Sequence, residues 1–273
     1  MLSHNRTDHI LQSQWTTVNG LRMHARVSTR RVHSHASPIV LVHGLGVSSR
    51  YLVPLAKRLA PTFDTYVPDL PGFGRSEKPD HTFAVPELTD ALAAWMEKAG
   101  ISKAILLGNS LGCQIIVEFG MRYPERITHA VLVGPTADPS ARTPLRLIRR
   151  TLRDIPHERL SLLLICVDDY LRAGVFRVFQ TLRYLVQDPI EEKLPHLQVP
   201  TLILRGENDR IVPKDWVQAI VQLLPDGQII TIPGAAHAVH YASPAVVAAV
   251  TRDFVQRTAT ETSRPEETAT REA

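Results

Sequence analysis

The pentapeptide Gly108-Asn109-Ser110-Leu111-Gly112 lies between an apolar run, Lys103 to Leu107, and a helical pattern, Cys113 to Tyr123. Strand, sharp turn and helix in that order constrain the chain more than any other stretch. A turn of the G-x-S-x-G type forces its serine into a strained backbone conformation and exposes the hydroxyl at the carboxyl end of the strand. The residues on either side must be small, because strand and helix meet closely there. The chain is thereby expected to be an α/β protein with Ser110 presented as a nucleophile.

A serine hydroxyl is a weak nucleophile at neutral pH, so it needs a histidine to take its proton and a carboxylate to orient that histidine. With this kind of turn both partners are expected downstream, acid before base, each on a loop after a later strand. Thr201 to Leu204 reads as a buried strand that runs into Arg205-Gly206-Glu207-Asn208-Asp209-Arg210-Ile211-Val212-Pro213, which makes Asp209 the expected acid. Gln228 to Ile232 reads as another strand, and the loop Pro233-Gly234-Ala235-Ala236-His237 makes His237 the expected base. The tetrahedral intermediate also needs preorganised donors for its oxyanion. The strand Pro38 to Val42 ends in His43-Gly44-Leu45-Gly46, so the backbone amides of Leu45 and Leu111 are the expected pair, with their side chains as apolar walls of the pocket. Gly44, Asn109 and Val239 are expected to contact substrate.

Elsewhere the pattern is regular. Trp15 to Val27 alternates on both sides of Asn19-Gly20, which predicts a hairpin at the antiparallel edge of a sheet. Strands then alternate with helices near Tyr51 to Ala60 and Val85 to Ala99, the rhythm of parallel crossover units. After Ala130 to Pro135 the alternation stops, and residues 137–197 read as helices without a strand, a candidate lid. The expected organisation is a flexible segment 1–12, a core formed by 13–136 and 198–257, the lid 137–197, and a disordered polar tail 258–273. Within the lid, Arg142, Arg146, Arg149, Arg150 and Arg153 fall on one helical face and Leu145, Ile148, Leu152 and Ile155 on another.

With 273 residues and 44% hydrophobic content the chain can bury a sizeable core. No run reaches membrane-spanning length, and the amino terminus lacks the apolar core of a signal peptide, so a cytoplasmic protein is expected. The two cysteines make no disulfide framework, and Cys113 and Cys166 are expected as buried free thiols. A net charge of +4 is mild and spread out, and gives no basis for nucleic-acid binding. His4, His9, His33 and His35 show no metal-ligand spacing. The expected partner is a small-molecule substrate, with homo-oligomerisation left open.

Taken in order, His43-Gly44-Leu45-Gly46, Asp69-Leu70-Pro71-Gly72-Phe73-Gly74-Arg75-Ser76, the serine turn, Gly206 to Asp209 and Gly234 to His237 resemble the α/β-hydrolase superfamily from about Trp15 to Arg257. The resemblance implies the α/β-hydrolase fold, a mostly parallel sheet of about eight strands with helices on both faces and an inserted helical lid, and hydrolysis without metal or cofactor. It also implies a structural role for the histidine at His43, and it raises Asp138 as a rival acid, since some relatives carry theirs after that strand. His240, the rival base, is expected at the surface or against the lid, and Glu207 is expected to point away. A carboxylesterase-like serine hydrolase of small to medium, mainly apolar esters is the first reading. Gly-Asn-Ser is similar to the meta-cleavage-product hydrolases, which makes carbon-carbon cleavage of dienoates the runner-up, although Ala238 and Cys113 depart from that pattern. A small-molecule receptor with slow or single turnover is the reading from another class.

Overall fold

The structure is a computed structural model that describes residues 10–32 and 37–262. The expectations for residues 1–9, for His4, His9, His33 and His35, and for residues 263–273 lie outside the described residues. Strands β1 (Leu11–Val18) and β2 (Leu21–Ser28) form the predicted hairpin, in register Val18 to Leu21. Asn19 at φ 50° and Gly20 at φ 82° supply the two left-handed residues that a tight hairpin turn requires. The segment expected to be flexible up to residue 12 is therefore already paired at Leu11.

Alternation of strand and helix then gives β3 (Ile39–Val42), α1 (Val53–Leu59), β4 (Thr65–Pro68), α2 (Val85–Lys98), β5 (Ala104–Asn109), α3 (Leu111–Arg122) and β6 (Ile127–Val133). Helices α4 (Pro144–Asp154), α5 (Leu160–Ala173), α6 (Val175–Gln187) and α7 (Ile190–Lys193) follow without an intervening strand. The chain returns through β7 (Thr201–Gly206), α8 (Lys214–Leu223), β8 (Gly227–Ile232), α9 (Val239–Ala242) and α10 (Pro244–Thr262). Helix α10 thus extends five residues beyond the boundary expected at 257.

Among the described residues eight strands make one sheet in the order β1-β2-β4-β3-β5-β6-β7-β8. Only β2 is reversed, because it pairs antiparallel with both β1 and β4 while the remaining pairs are parallel. Successive strand residues point to opposite faces, and the two halves of the core follow that alternation. Val40, Val42, Leu106 and Leu132 pack with Leu92 and Trp95 of α2, Ile115 of α3 and Trp216 of α8. Ile39, Leu41, Leu107 and Val133 pack with Leu55 and Leu59 of α1 and Phe254 of α10. The parallel strands β3 to β8 therefore present their carboxyl ends along one rim, where the loops after β3, β5, β7 and β8 carry the candidate residues.

The helical insertion between β6 and β7 is tied to the core by polar contacts. Gln114 of α3 donates from Nε2 to the Leu185 carbonyl and to Asp188 Oδ2, both at 3.0 Å. Lys193 Nζ lies 2.7 Å from Glu118 Oε2 and also bonds Asp188. Across the molecule, Arg177 donates to the carbonyls of His81 and Pro79 at 3.1 and 3.0 Å. Helix α4 begins at Pro144 with Thr143 as its cap, so Arg142 stands outside the helix and pairs with Glu191 instead of joining the predicted arginine stripe. Among the described residues no helix is long and apolar enough to cross a membrane.

Candidate active site

Strand β5 ends at Asn109 and α3 begins at Leu111, so Ser110 alone makes the turn. Its backbone lies at φ 57° and ψ −117°, a conformation that persists only where the surroundings enforce it. They do so here by hydrogen bonds. Ser110 N–H donates to the Val133 carbonyl at 3.0 Å, and the Ser110 carbonyl accepts from Cys113 N–H at 2.9 Å. The flanking glycines are sterically required: a Cβ on Gly108 would lie 2.6 Å from the Gly112 carbonyl, and one on Gly112 would lie 2.4 Å from the Val42 oxygen.

Asp209 and His237 come together from the loops after β7 and β8. His237 Nδ1 lies 2.9 Å from Asp209 Oδ2, while Asp209 Oδ1 accepts the amides of Ile211 and Val212 at 2.8 and 2.9 Å. With the carboxylate accepting at Nδ1, the Nε2 lone pair of a neutral ring is left to act as a base. Two glycines make room for this pairing. A Cβ on Gly206 would stand 2.1 Å from the Ala236 oxygen, and one on Gly134 would stand 2.9 Å from His237 Nδ1. Ser110 and His237 line the same cavity. No hydrogen bond links them among the described residues, and in free enzymes such contacts commonly tighten only when substrate is bound.

The turn after β3 packs against the serine. A Cβ on Gly44 would lie 3.3 Å from Ser110 Cβ and 3.2 Å from the Asn109 carbonyl oxygen. His43 is buried, its Nε2 accepting from Leu70 N–H at 3.0 Å, so its Nδ1 carries the proton and donates to the Gly44 carbonyl at 2.9 Å. Burial pushes its pKa down, which keeps the ring neutral. Leu111 opens α3, where helical N–H groups have no partner within the helix.

A model of the alpha/beta hydrolase family matches residues 39–250. The chain belongs to the alpha/beta hydrolase family. It is 35% identical over 102 residues to abhydrolase domain-containing protein abhd-5.2 of Caenorhabditis elegans, a match covering 36% of this chain and 23% of that one. The chain thus matches less than a quarter of that relative's length. It is 26% identical over 225 residues to Lipase 1 of Psychrobacter immobilis, covering 73% of this chain and 71% of the lipase. A solved esterase from Thermogutta terrifontis superposes with a TM-score of 0.75 at 24% identity, over 90% of this chain and 98% of that one.

The cavity lined by Ser110 has a volume of about 660 Å³. Its wall is apolar, formed by Leu45 and Val47 from the core and by residues such as Leu152, Leu163, Val178 and Leu182 from the insertion. Asp154 and Glu158 also border it, whereas among the described residues no lysine or arginine does. These two carboxyl groups join the insertion to the loops that carry Asp209 and His237. Asp154 Oδ1 accepts from Arg210 N–H, next to Asp209, at 2.9 Å, and Glu158 Oε1 accepts from Ala238 N–H, next to His237, at 2.6 Å. Burial, with Asp154 close by, raises the Glu158 pKa to about 7. Burial works against a charged His237, but Asp209, backed by Asp154 and Glu158, outweighs it and holds the imidazole pKa above its ordinary value.

Some expected contacts are placed differently. Val239 is fully buried in the core at the start of α9 and lies outside the cavity wall. The Leu111 side chain likewise packs into the core, leaving Leu45 as the one of that pair whose side chain lines the cavity. Asn109 borders the cavity, yet both its polar atoms are engaged: Nδ2 donates to the Val133 carbonyl and Oδ1 accepts from Tyr51 Oη–H, each at 3.0 Å. His240 is completely buried, edge-on to Tyr51 at 4.5 Å, and burial drops its pKa to about 3. Cys166 is half-buried on the cavity wall, unlike the enclosed Cys113. Asp138 pairs with Arg150, and Glu207 accepts from Gly234 N–H at 2.9 Å.

Two supporting residues escaped the sequence reading. Tyr51 Oη accepts from Gly44 N–H at 2.7 Å while donating to Asn109, so one hydroxyl braces the glycine turn against the serine turn. Arg205 donates to the carbonyls of Val212, Glu207 and Asp209 at 2.8, 3.2 and 3.0 Å, stapling the loop that carries Asp209. Neither belongs to a recognisable motif, and only the folded geometry brings their partners within reach.

Proposed function

We propose that this hydrolase cleaves a neutral, mainly apolar carboxylic ester through an acyl-enzyme. The observation that carries the reading is a serine held at positive φ that lines the same apolar cavity as a histidine bonded to a buried aspartate. His237 Nε2 accepts the Ser110 proton as Oγ attacks the ester carbonyl carbon, and the amides of Leu45 and Leu111 receive the oxyanion. Collapse expels the alcohol, which takes the proton from His237. Water, deprotonated by the same nitrogen, then releases the acid and restores Ser110. Asp209 stabilises the imidazolium and remains ionised.

The lining supports an ester over a dienoate. A carboxylate substrate would meet Asp154 and Glu158 in a cavity that no arginine or lysine borders among the described residues, and desolvating an unpaired anion there is costly. Asn109, the residue behind the resemblance to the carbon-carbon hydrolases, is accounted for by its bracing bonds. The insertion supplies much of the cavity wall and so serves as its lid. The test is labelling with a fluorophosphonate, followed by steady-state hydrolysis of p-nitrophenyl esters of increasing acyl length. Labelling abolished by Ser110→Ala, with rates that climb with chain length, is the expected result. Labelling that survives Ser110→Ala refutes the nucleophile, and a single burst without turnover favours a receptor.

A further inference from the structure

The apolar face of α4, read from sequence as distinct from its arginine face, is largely open. Leu145 is 76% exposed and Leu152 61%, and Phe176 at the start of α6 reaches 78%. Of the seventeen large hydrophobic residues that are exposed among the described residues, twelve lie between Leu145 and Phe179. Surface apolar residues scattered singly need no explanation, but a concentration of this kind marks an interaction site. This patch is continuous with the cavity, because Ile148, Leu152, Val167, Val175 and Phe179 are both exposed and part of the cavity wall.

Charge separates the kinds of partner. Arg146, Arg149 and Arg153 are exposed on α4 and make no ion pair among the described residues. The acidic side chains of the same region are withdrawn or neutralised. Asp154 and Asp169 are buried, Glu158 faces the cavity, Asp138 pairs with Arg150, and Asp168 pairs with Arg50 and Arg172. What remains is an apolar rim bordered by unpaired positive charge. Helices with apolar residues on one side and arginine on the other lie in the interface of anionic membranes.

From this combination we infer that the insertion docks on an anionic lipid surface, with the cavity mouth turned toward the acyl chains. The inference deepens the ester reading, since it names a lipid-dissolved ester as the substrate and gives it a dry path to Ser110. Each arginine near an anionic surface strengthens binding about fivefold. Three of them therefore predict on the order of 100-fold preference for anionic over zwitterionic vesicles, weakened by salt.

The test uses the full chain carrying Ser110→Ala, so that no lipid is consumed, in co-sedimentation with vesicles of phosphatidylcholine alone and of equimolar phosphatidylcholine and phosphatidylglycerol. Binding confined largely to the anionic vesicles and reduced at high salt is expected. Arg149→Gln with Arg153→Gln should cut it by on the order of 20-fold, and Leu145→Ser with Phe176→Ser should remove most of what is left. In the Ser110 background, the Leu145→Ser/Phe176→Ser variant should hydrolyse a water-soluble ester at the parental rate, because neither side chain lines the cavity, and this also reports intact folding. Normal hydrolysis without vesicle binding overturns the docking and spares the ester reading. Vesicle binding without hydrolysis of any ester does the reverse. A dimer in sedimentation velocity that Phe176→Ser dissociates assigns the patch to a second copy and likewise overturns the docking.

Discussion

Replacing Tyr51 by phenylalanine isolates one hydroxyl whose two bonds hold the two halves of the candidate site together. The ring keeps its packing, including the edge contact with His240 at 4.5 Å. Two buried partners lose their bonds: Gly44 N–H, at 2.7 Å from the hydroxyl, and Asn109 Oδ1, at 3.0 Å. A buried polar group left unpaired costs about 1–3 kcal/mol, so the pair predicts a loss of about 3 kcal/mol, the middle of the lower half of the summed range. For a chain of this size that corresponds to a fall in Tm of about 5 °C. Gly44 immediately precedes Leu45, whose amide is proposed as an oxyanion donor. Removal of such a donor outright costs about 100- to 1000-fold in kcat, and loosening its support should cost roughly tenfold with KM nearly unchanged. Thermal melts and ester kinetics on the purified variant measure both. A Tm within a degree of the parent together with parental kcat would refute the bracing role, and coupling measured against Asn109→Ala would show which bond matters.

Asp209→Asn should lower kcat by on the order of 10⁴-fold even though the amide oxygen can still accept from Ile211 and Val212. Gly134→Ala places a methyl 2.9 Å from His237 Nδ1 at a φ of 57°, and a displacement of about 1 Å predicts on the order of 100-fold loss in kcat. The rate requires neutral His237, so kcat/KM should rise with pH through a midpoint above the ordinary histidine value of about 6.5. Glu158→Gln, which retains an acceptor for Ala238 N–H but removes negative charge, should move that midpoint to lower pH; an unmoved or higher midpoint would count against the coupling. The stabilising effect of the protonated His237 runs the other way: it is fully present below about pH 6.5 and is lost as pH rises through the elevated folded-state pKa, which melts at several pH values can follow.

Where sequence carried the fold, it did so through strictly local constraints. Gly108 and Gly112 are demanded by contacts within one strand-turn-helix unit, and Asn19-Gly20 fixes its hairpin by backbone conformation alone. The loops bearing Asp209 and His237 follow β7 and β8, each parallel to the strand before it, so their place at the carboxyl rim was legible from strand order. Val239 was misplaced because proximity in sequence to His237 does not give direction: the chain turns into α9 directly after Ala238 and carries Val239 into the core. The same limit applies to Leu111, whose amide and side chain point to different surroundings.

The insertion was harder to read for a physical reason. A periodic apolar stripe predicts a helix with one face removed from water, but the period does not name what removes it. Leu147 turns into the protein on α4, while Leu145 and Leu152, read from the period as part of its apolar face, remain exposed. Arg142 and Arg150 answer to Glu191 and Asp138 within the chain, whereas Arg149 and Arg153 answer to nothing described. Helical periodicity therefore located the secondary structure correctly and left its partner undetermined. The carboxyl groups of Asp154 and Glu158 show why the question bears on catalysis: they fasten this same insertion to the amides beside Asp209 and His237. Any surface that displaces α4 must pull on those two bonds, so what covers the exposed leucines and what sets the basicity of His237 are connected through one helix and the short turn that follows it.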